Sequence, residues 1–178
     1  TFSYLDTKLE TKKGLNRFAW DLKQKGAWSD KKSRLFKNGP MVPPGMYTVS
    51  LTVGKETLEQ TFEIMVDPRL EKEGITSTTF QEQLAFENKV ISLLSEARKF
   101  QVKVEAELKK STNAEKKASL EKVLKELKNE EGAYPQQMLV AQISYLSYIV
   151  GDTDKEIGKD AKERYIELVS KFDQLKSK

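Results

Sequence analysis

The chain has 178 residues, with 31 Lys and Arg against 27 Asp and Glu, and it contains neither His nor Cys. Without imidazole or thiol there is no Ser-His-Asp triad, no His general base, no Cys nucleophile, no disulfide framework and no zinc site built on these ligands, so covalent chemistry falls to carboxylates, hydroxyls, Lys or Tyr. Charged residues make up 33% and the net charge is only +4, split as +3 over residues 1–74 and +1 over the rest, a balance that suits long solvated helices.

Apolar periodicity changes once along the chain. Before about residue 68 it alternates, and after about residue 77 it recurs at three and four. A first strand is predicted near residues 2–5. A second, over 15–22, places Phe18, Trp20 and Leu22 on one face and Arg17, Ala19 and Asp21 on the other. Residues 23–41 read as irregular. Pro43-Pro44-Gly45 is a rigid turn leading into a strand over 46–53, with Tyr47, Val49, Leu51 and Val53 facing inward. A tight turn at Gly54-Lys55 joins it to a strand over 57–66, whose inward set is Leu58, Phe62, Ile64 and Val66. Four strands fall short of the seven or so of an immunoglobulin-like sandwich. The expectation is therefore a partly trimmed sandwich with a long loop, cut from a longer protein.

Asp67-Pro68-Arg69 closes the strand region, and residues 70–77 read as linker. A first helix is predicted over 79–110, opened by a Thr79/Glu82 capping box, with the stripe Phe86, Val90, Leu93, Ala97, Phe100, Val104 and Leu108. Thr112 with Glu115 opens a second, carrying Leu120, Leu124 and Leu127 and ending at Gly132. Pro135 sits in the first turn of a third, which runs to 150, is apolar nearly all round and should be the most buried; Gly151 stops it. Thr153 with Glu156 caps a fourth, with Ala161, Tyr165, Leu168, Phe172 and Leu175 on its inner face. Short connections imply antiparallel neighbours. The predicted fold class is α+β in two parts: an immunoglobulin-like antiparallel β-sandwich over 1–69, a linker over 70–77, and an antiparallel up-and-down four-helix bundle over 78–178.

The helical Glu residues pair with Lys at three or four residues, as Glu121 with Lys125, and read as surface ion pairs rather than a hydrolytic carboxylate pair. Asp152, Asp154 and Glu156 alternate like a crude calcium loop but lack its Gly and distal Glu, so helix capping accounts for them. Tyr134, Tyr145 and Tyr148 with Met138 read as packing, phenols at the bundle edge. Residues 1–40 carry ten Lys and Arg against four acids, with Trp20, Trp28 and Phe36 among them. Most are Lys in polar sequence, a solvated face, and no nucleic-acid partner is expected. The most apolar run, residues 138–150, is 13 long and includes Gln142, Ser144 and Ser147. About 20 apolar residues are needed to span a bilayer, so no membrane insertion is expected. No catalytic, cofactor-binding or metal-ligating residue is assigned.

Gly14, Asn16, Trp20 and Asp21, followed by Gly39, Pro40, Pro44, Gly45 and Tyr47, make a spaced pair of strand motifs. The pair resembles the signature of a bacterial immunoglobulin-like module related to that of the flagellar hook-capping protein. With Asp67-Pro68-Arg69 and a late Tyr134-Pro135-Gln136-Gln137, the order is similar to the C-terminal region of large secreted bacterial proteins that carry neuraminidase-type repeats in a sortilin-like β-propeller, often labelled glycosyl hydrolases. The resemblance spans nearly the whole chain, with its specific motifs in residues 14–69. It implies structural roles for the nine matching residues: Trp20 in the sandwich core, Asp21 on loop amides, Gly45 in the turn. It also implies an extracytoplasmic location and a non-catalytic accessory module whose partner is the parent's own β-propeller, with any glycosidase label belonging to that propeller. Trp28, Phe36 and Tyr148 are the candidate interaction surface. An alternative is a carbohydrate-binding module with an aromatic platform near Trp28, taking a glycan or protein ligand; a hydrolase with paired carboxylates is a third reading that no sequence feature requires.

Overall fold

The computed structural model describes residues 11–152 and 155–178, so the strand expected near Phe2 and the cap expected at Thr153 lie outside the described residues. In chain order the elements are β1 (Gly45–Val53), β2 (Glu56–Ile64), α1 (Pro68–Lys72), α2 (Ser77–Lys110), α3 (Ala114–Leu127), α4 (Leu139–Gly151) and α5 (Lys159–Lys176). Among the described residues the fold is thus mixed, with one two-stranded antiparallel sheet and five helices.

Residues 77–110 contain no Gly or Pro, and α2 runs through all of them. The Thr79 hydroxyl accepts from the Thr76 backbone N–H at 3.4 Å, so the helix starts three residues before the predicted capping box. Lys109 and Lys110 meet the negative end of its dipole. The cap of α3 is Asn113 and not Thr112, because the Asn113 side chain reaches the Lys116 N–H at 3.0 Å. Pro135 is not in the first turn of α4. The side chain of Asn129 accepts the Met138 N–H at 2.8 Å and sets the start there, leaving Pro135 in the preceding loop after Tyr134 at φ 56°. Asp67 caps the short α1, which runs into the stretch expected as linker, accepting from the Arg69 N–H at 2.8 Å and from its guanidinium at 2.7 Å. These bonds hold the Asp67 carboxyl down to about 2.

The four longer helices share one core. Phe172, Leu127, Ile143, Leu168, Val90 and Val150 are its largest fully buried side chains. α2 packs against α3, α4 and α5, and α4 also packs against α5. Edge-to-face ring pairs, Phe86 with Tyr165 at 5.6 Å and Phe100 with Phe172 at 5.8 Å, tie α2 to α5. Buried Gln83 donates to the Lys155 carbonyl at 3.1 Å, fixing the approach to α5. α4, expected to be the most buried, does bury the largest share of its residues among the four longer helices and packs against α2, α3 and α5. Its neighbours bury only the stripe of Leu139, Ile143, Leu146 and Val150, and Tyr145, Tyr148 and Ile149 stand exposed.

The strand expected over 15–22 does not form. Asp21 accepts the Lys23 N–H at 3.1 Å, the Trp20 indole N–H donates to the Lys23 carbonyl at 3.1 Å, and Leu22 takes φ 59°, so side-chain bonds bend the chain where a ladder would have to continue. Backbone pairing starts just beyond. Val42 N–H donates to Leu22 at 2.8 Å, Gln24 N–H to Pro40 at 2.7 Å and Gly26 N–H to Phe36 at 2.8 Å, making an irregular antiparallel ribbon of residues 22–27 with 36–42. The two strands of this ribbon approach closest at Gly26 and Gly39. A Cβ on Gly26 would strike the Lys37 carbonyl, and one on Gly39 the Gln24 carbonyl. The end of the ribbon sits on α2: Ala27 belongs to the helical core, Trp28 N–H donates to Ser95 Oγ at 3.0 Å, and Arg98 Nη1 donates to the Trp28 carbonyl at 3.2 Å.

Gly39→Ala therefore destabilises the protein by about 1–3 kcal/mol, as overpacking does. Gly151→Ala, with open space around it, leaves stability unchanged or raises it by up to about 1 kcal/mol. Urea unfolding followed by tryptophan fluorescence measures both.

Candidate interaction surface

β1 and β2 pair through Gly54 and Lys55 in the register Tyr47 to Phe62, Val49 to Gln60, Leu51 to Leu58 and Val53 to Glu56. This matches the inward sets expected from alternation. The other face is polar and satisfied across the strands: Ser50 Oγ donates to Glu59 at 2.9 Å and the Thr52 and Thr57 hydroxyls lie 2.9 Å apart. On the apolar face only one end is covered. Tyr47 stacks on Phe62 at 6.0 Å and meets the Trp20 ring edge-on at 6.1 Å. Its hydroxyl donates to the Pro43 carbonyl at 2.6 Å, which pins the chain entering β1, and burial pushes the phenol pKa up. Beyond that cluster, Leu51 is 47% exposed, Val49 54%, Val53 69% and Leu58 74%. The inward assignment of these four is therefore corrected: among the described residues no second sheet lies over them.

Of the nine signature residues, Trp20 and Tyr47 make the covered end, and the others lie in the turns and the ribbon leading to it. The Asn16 side chain accepts from Lys12 N–H at 2.9 Å and donates to the carbonyls of Lys12 at 3.0 Å and Gly14 at 3.1 Å, closing a turn. Trp20 and Asp21 follow with the bonds already described, so Asp21 does hold a loop amide. Gly39 and Pro40 lie buried in the ribbon, and Pro44 with Gly45 delivers the chain into β1 beside Tyr47.

Of the three aromatics expected to form an interaction surface, Trp28 and Phe36 are on the paired arms of the ribbon and Tyr148 is on α4. Phe36 N–H donates to the Ala27 carbonyl at 3.1 Å, next to Trp28, and Phe36 is 41% exposed. Trp28 is half-buried against α2, with Lys99 over its ring at 5.9 Å from the centroid. Tyr148 projects from α4, 68% exposed, alongside Tyr145 at 66%. What the sequence reading missed was the hairpin face itself, because alternation marks a face as apolar without showing what covers it.

None of the protein families, curated proteins or solved structures compared with the chain matches it. Among the described residues no helix is long and apolar enough to cross a membrane.

One carboxyl stands out electrostatically. Glu87, half-buried on α2, is pushed up to about 7 by desolvation. Folding favours its protonated form, so this contribution is fully present below the unfolded value of 4.5 and is lost as pH rises through about 7. Glu87→Gln should be more stable than the parent at pH 8, by on the order of 1 kcal/mol once solvent screening is counted, and equal to it at pH 4. Urea titrations at the two pH values measure the difference.

Proposed function

We propose that the chain is a non-catalytic C-terminal accessory module of a larger secreted bacterial protein carrying neuraminidase-type repeats in a β-propeller, and that it serves as a structural or interaction element outside the cytoplasm. In this reading β1 and β2 belong to an immunoglobulin-like sandwich, and α2 to α5 form an antiparallel four-helix bundle. The observation that carries it is the uncovered apolar face of Val49, Leu51, Val53 and Leu58 on an otherwise well-registered hairpin. Two strands alone are marginally stable in water, and their apolar face gains about 1.5–3 kcal/mol per large side chain when covered. The bond from the Tyr47 hydroxyl back to the Pro43 carbonyl supports the sandwich reading, because immunoglobulin-like folds use a tyrosine in this way to fix a strand corner. The occupant of the face is then the parent polypeptide, its propeller or the strands adjoining it.

Leu51→Glu with Leu58→Lys changes the stability of this chain by less than about 0.5 kcal/mol, since both side chains are exposed. In the parent polypeptide the same pair makes the hairpin sensitive to limited proteolysis. Equal proteolysis of the hairpin in both parent forms would contradict the proposal. Saturable glycan binding lost in Trp28→Ala would favour the carbohydrate-binding alternative instead.

A further inference from the structure

The ribbon's seat on α2 creates a second feature. Where residues 29–34 leave the ribbon they border, with α2, the end of α3 and the first turns of α4, an open cleft of about 290 Å³. That is at the lower end for small-molecule sites. Leu127 and Val140 line it, and Lys31, Arg34, Arg98 and Lys128 bring four cations to it against the single carboxylate of Asp30. Lys128 reaches Glu105 at 3.5 Å. Lys31, Arg34 and Arg98 have no carboxylate within ion-pair distance among the described residues.

A comparison inside the same molecule gives that imbalance its meaning. A cleft of similar size, about 280 Å³, lies between α2, α3 and the C-terminus and also draws four lysines. There every one has an ion-pair partner: Lys103 and Lys116 share Glu107 at 3.9 and 3.8 Å, Lys176 meets Asp173 at 2.7 Å and Lys178 meets Glu126 at 2.6 Å. The first cleft instead is lined by two guanidiniums, of Arg34 and Arg98, neither in an ion pair among the described residues. Arg98 is partly desolvated and its pKa is lowered by burial first and by Arg34 second, with Asp30 opposing. Its position is fixed by its bond to the Trp28 carbonyl, so it cannot swing away to relieve the repulsion without losing that bond. A bound anion would relieve it at once, and the planar forks of two arginines match the oxygens of a tetrahedral oxyanion.

We propose that this cleft is an anion-binding site for a phosphate or sulfate group, free or carried on a ligand no larger than a monosaccharide, with Arg34 and Arg98 as its principal donors and Lys31 and Lys128 closing its rim. The site is independent of the hairpin face and of the reading built on it.

The test is titration of the ¹⁵N-labelled chain with sodium phosphate and with glucose 6-phosphate, glucose being the uncharged control and ionic strength held constant. Saturable shifts confined to the amides of residues 29–34, 98 and 128 are expected for both anions and not for glucose. Arg34→Gln, which alters an exposed side chain, should weaken binding about tenfold, as loss of one charge-assisted bond does. Arg98→Gln should weaken it at least as much, and Lys103→Gln in the other cleft should leave it unchanged. Equal affinity for the two anions assigns the site to the free ion, and tighter binding of glucose 6-phosphate assigns it to a phosphorylated ligand; both support the site. Unsaturated shifts at every lysine, or equal weakening by Arg34→Gln and Lys103→Gln, would overturn it.

Discussion

The architecture depends on the length of α2. At 34 residues it extends about 51 Å, and its apolar stripe, from Phe86 to Val104, runs about half of that distance. No partner is as long as α2: α3 has 14 residues, α4 has 13 and α5 has 18. Its stripe is shared among all three. That is the physical reason three helices and the end of the N-terminal ribbon all converge on one element, and why Ala27, far from the helices in sequence, is part of their core.

That convergence sets what is left exposed. The ribbon is clamped by a backbone bond at each side of Trp28, one to Ser95 and one from Arg98, so it is held where it meets α2. The hairpin that follows is anchored only through Trp20 and Tyr47 at one end of its apolar face. Everything past that ring cluster, from Val49 to Leu58, is built to the alternation of a buried strand yet faces solvent. A surface of this kind is normally an interface, and the proposed accessory role rests on it. The same clamp brings the loop cations Lys31 and Arg34 to the cleft that Arg98 lines.

Much of this was legible in the sequence, and the failures have identifiable causes. The hairpin register, the extent of α2 and the inner stripes of α3 and α5 follow from periodicity, because burial on one face leaves a repeat in the chain. The strand expected at Trp20 failed although its alternation is real. The competing bonds of Asp21 and the Trp20 indole are local, and local side-chain bonds win where no second strand is at hand. Helix starts were displaced at Thr112 and Pro135 because Asn113 and Asn129 supplied stronger caps, the second from nine residues away. The exposure of Leu51 and of Tyr145 could not be read at all, since a pattern shows which residues share a face and not whether anything lies on it. The cleft was invisible for the same reason: Arg34 and Arg98 are 64 residues apart in sequence and meet only because the ribbon folds onto α2.

The central claim is that α2 holds the N-terminal ribbon as firmly as it holds the other helices. Native-state hydrogen exchange of the Trp28 amide tests it most directly, because that N–H has a single acceptor, Ser95 Oγ. The account predicts protection of the same order as the amides near Ala97 in the middle of α2. Exchange of Trp28 at the rate of the Lys55 amide at the hairpin tip would show that the ribbon is not part of the core, and would contradict it.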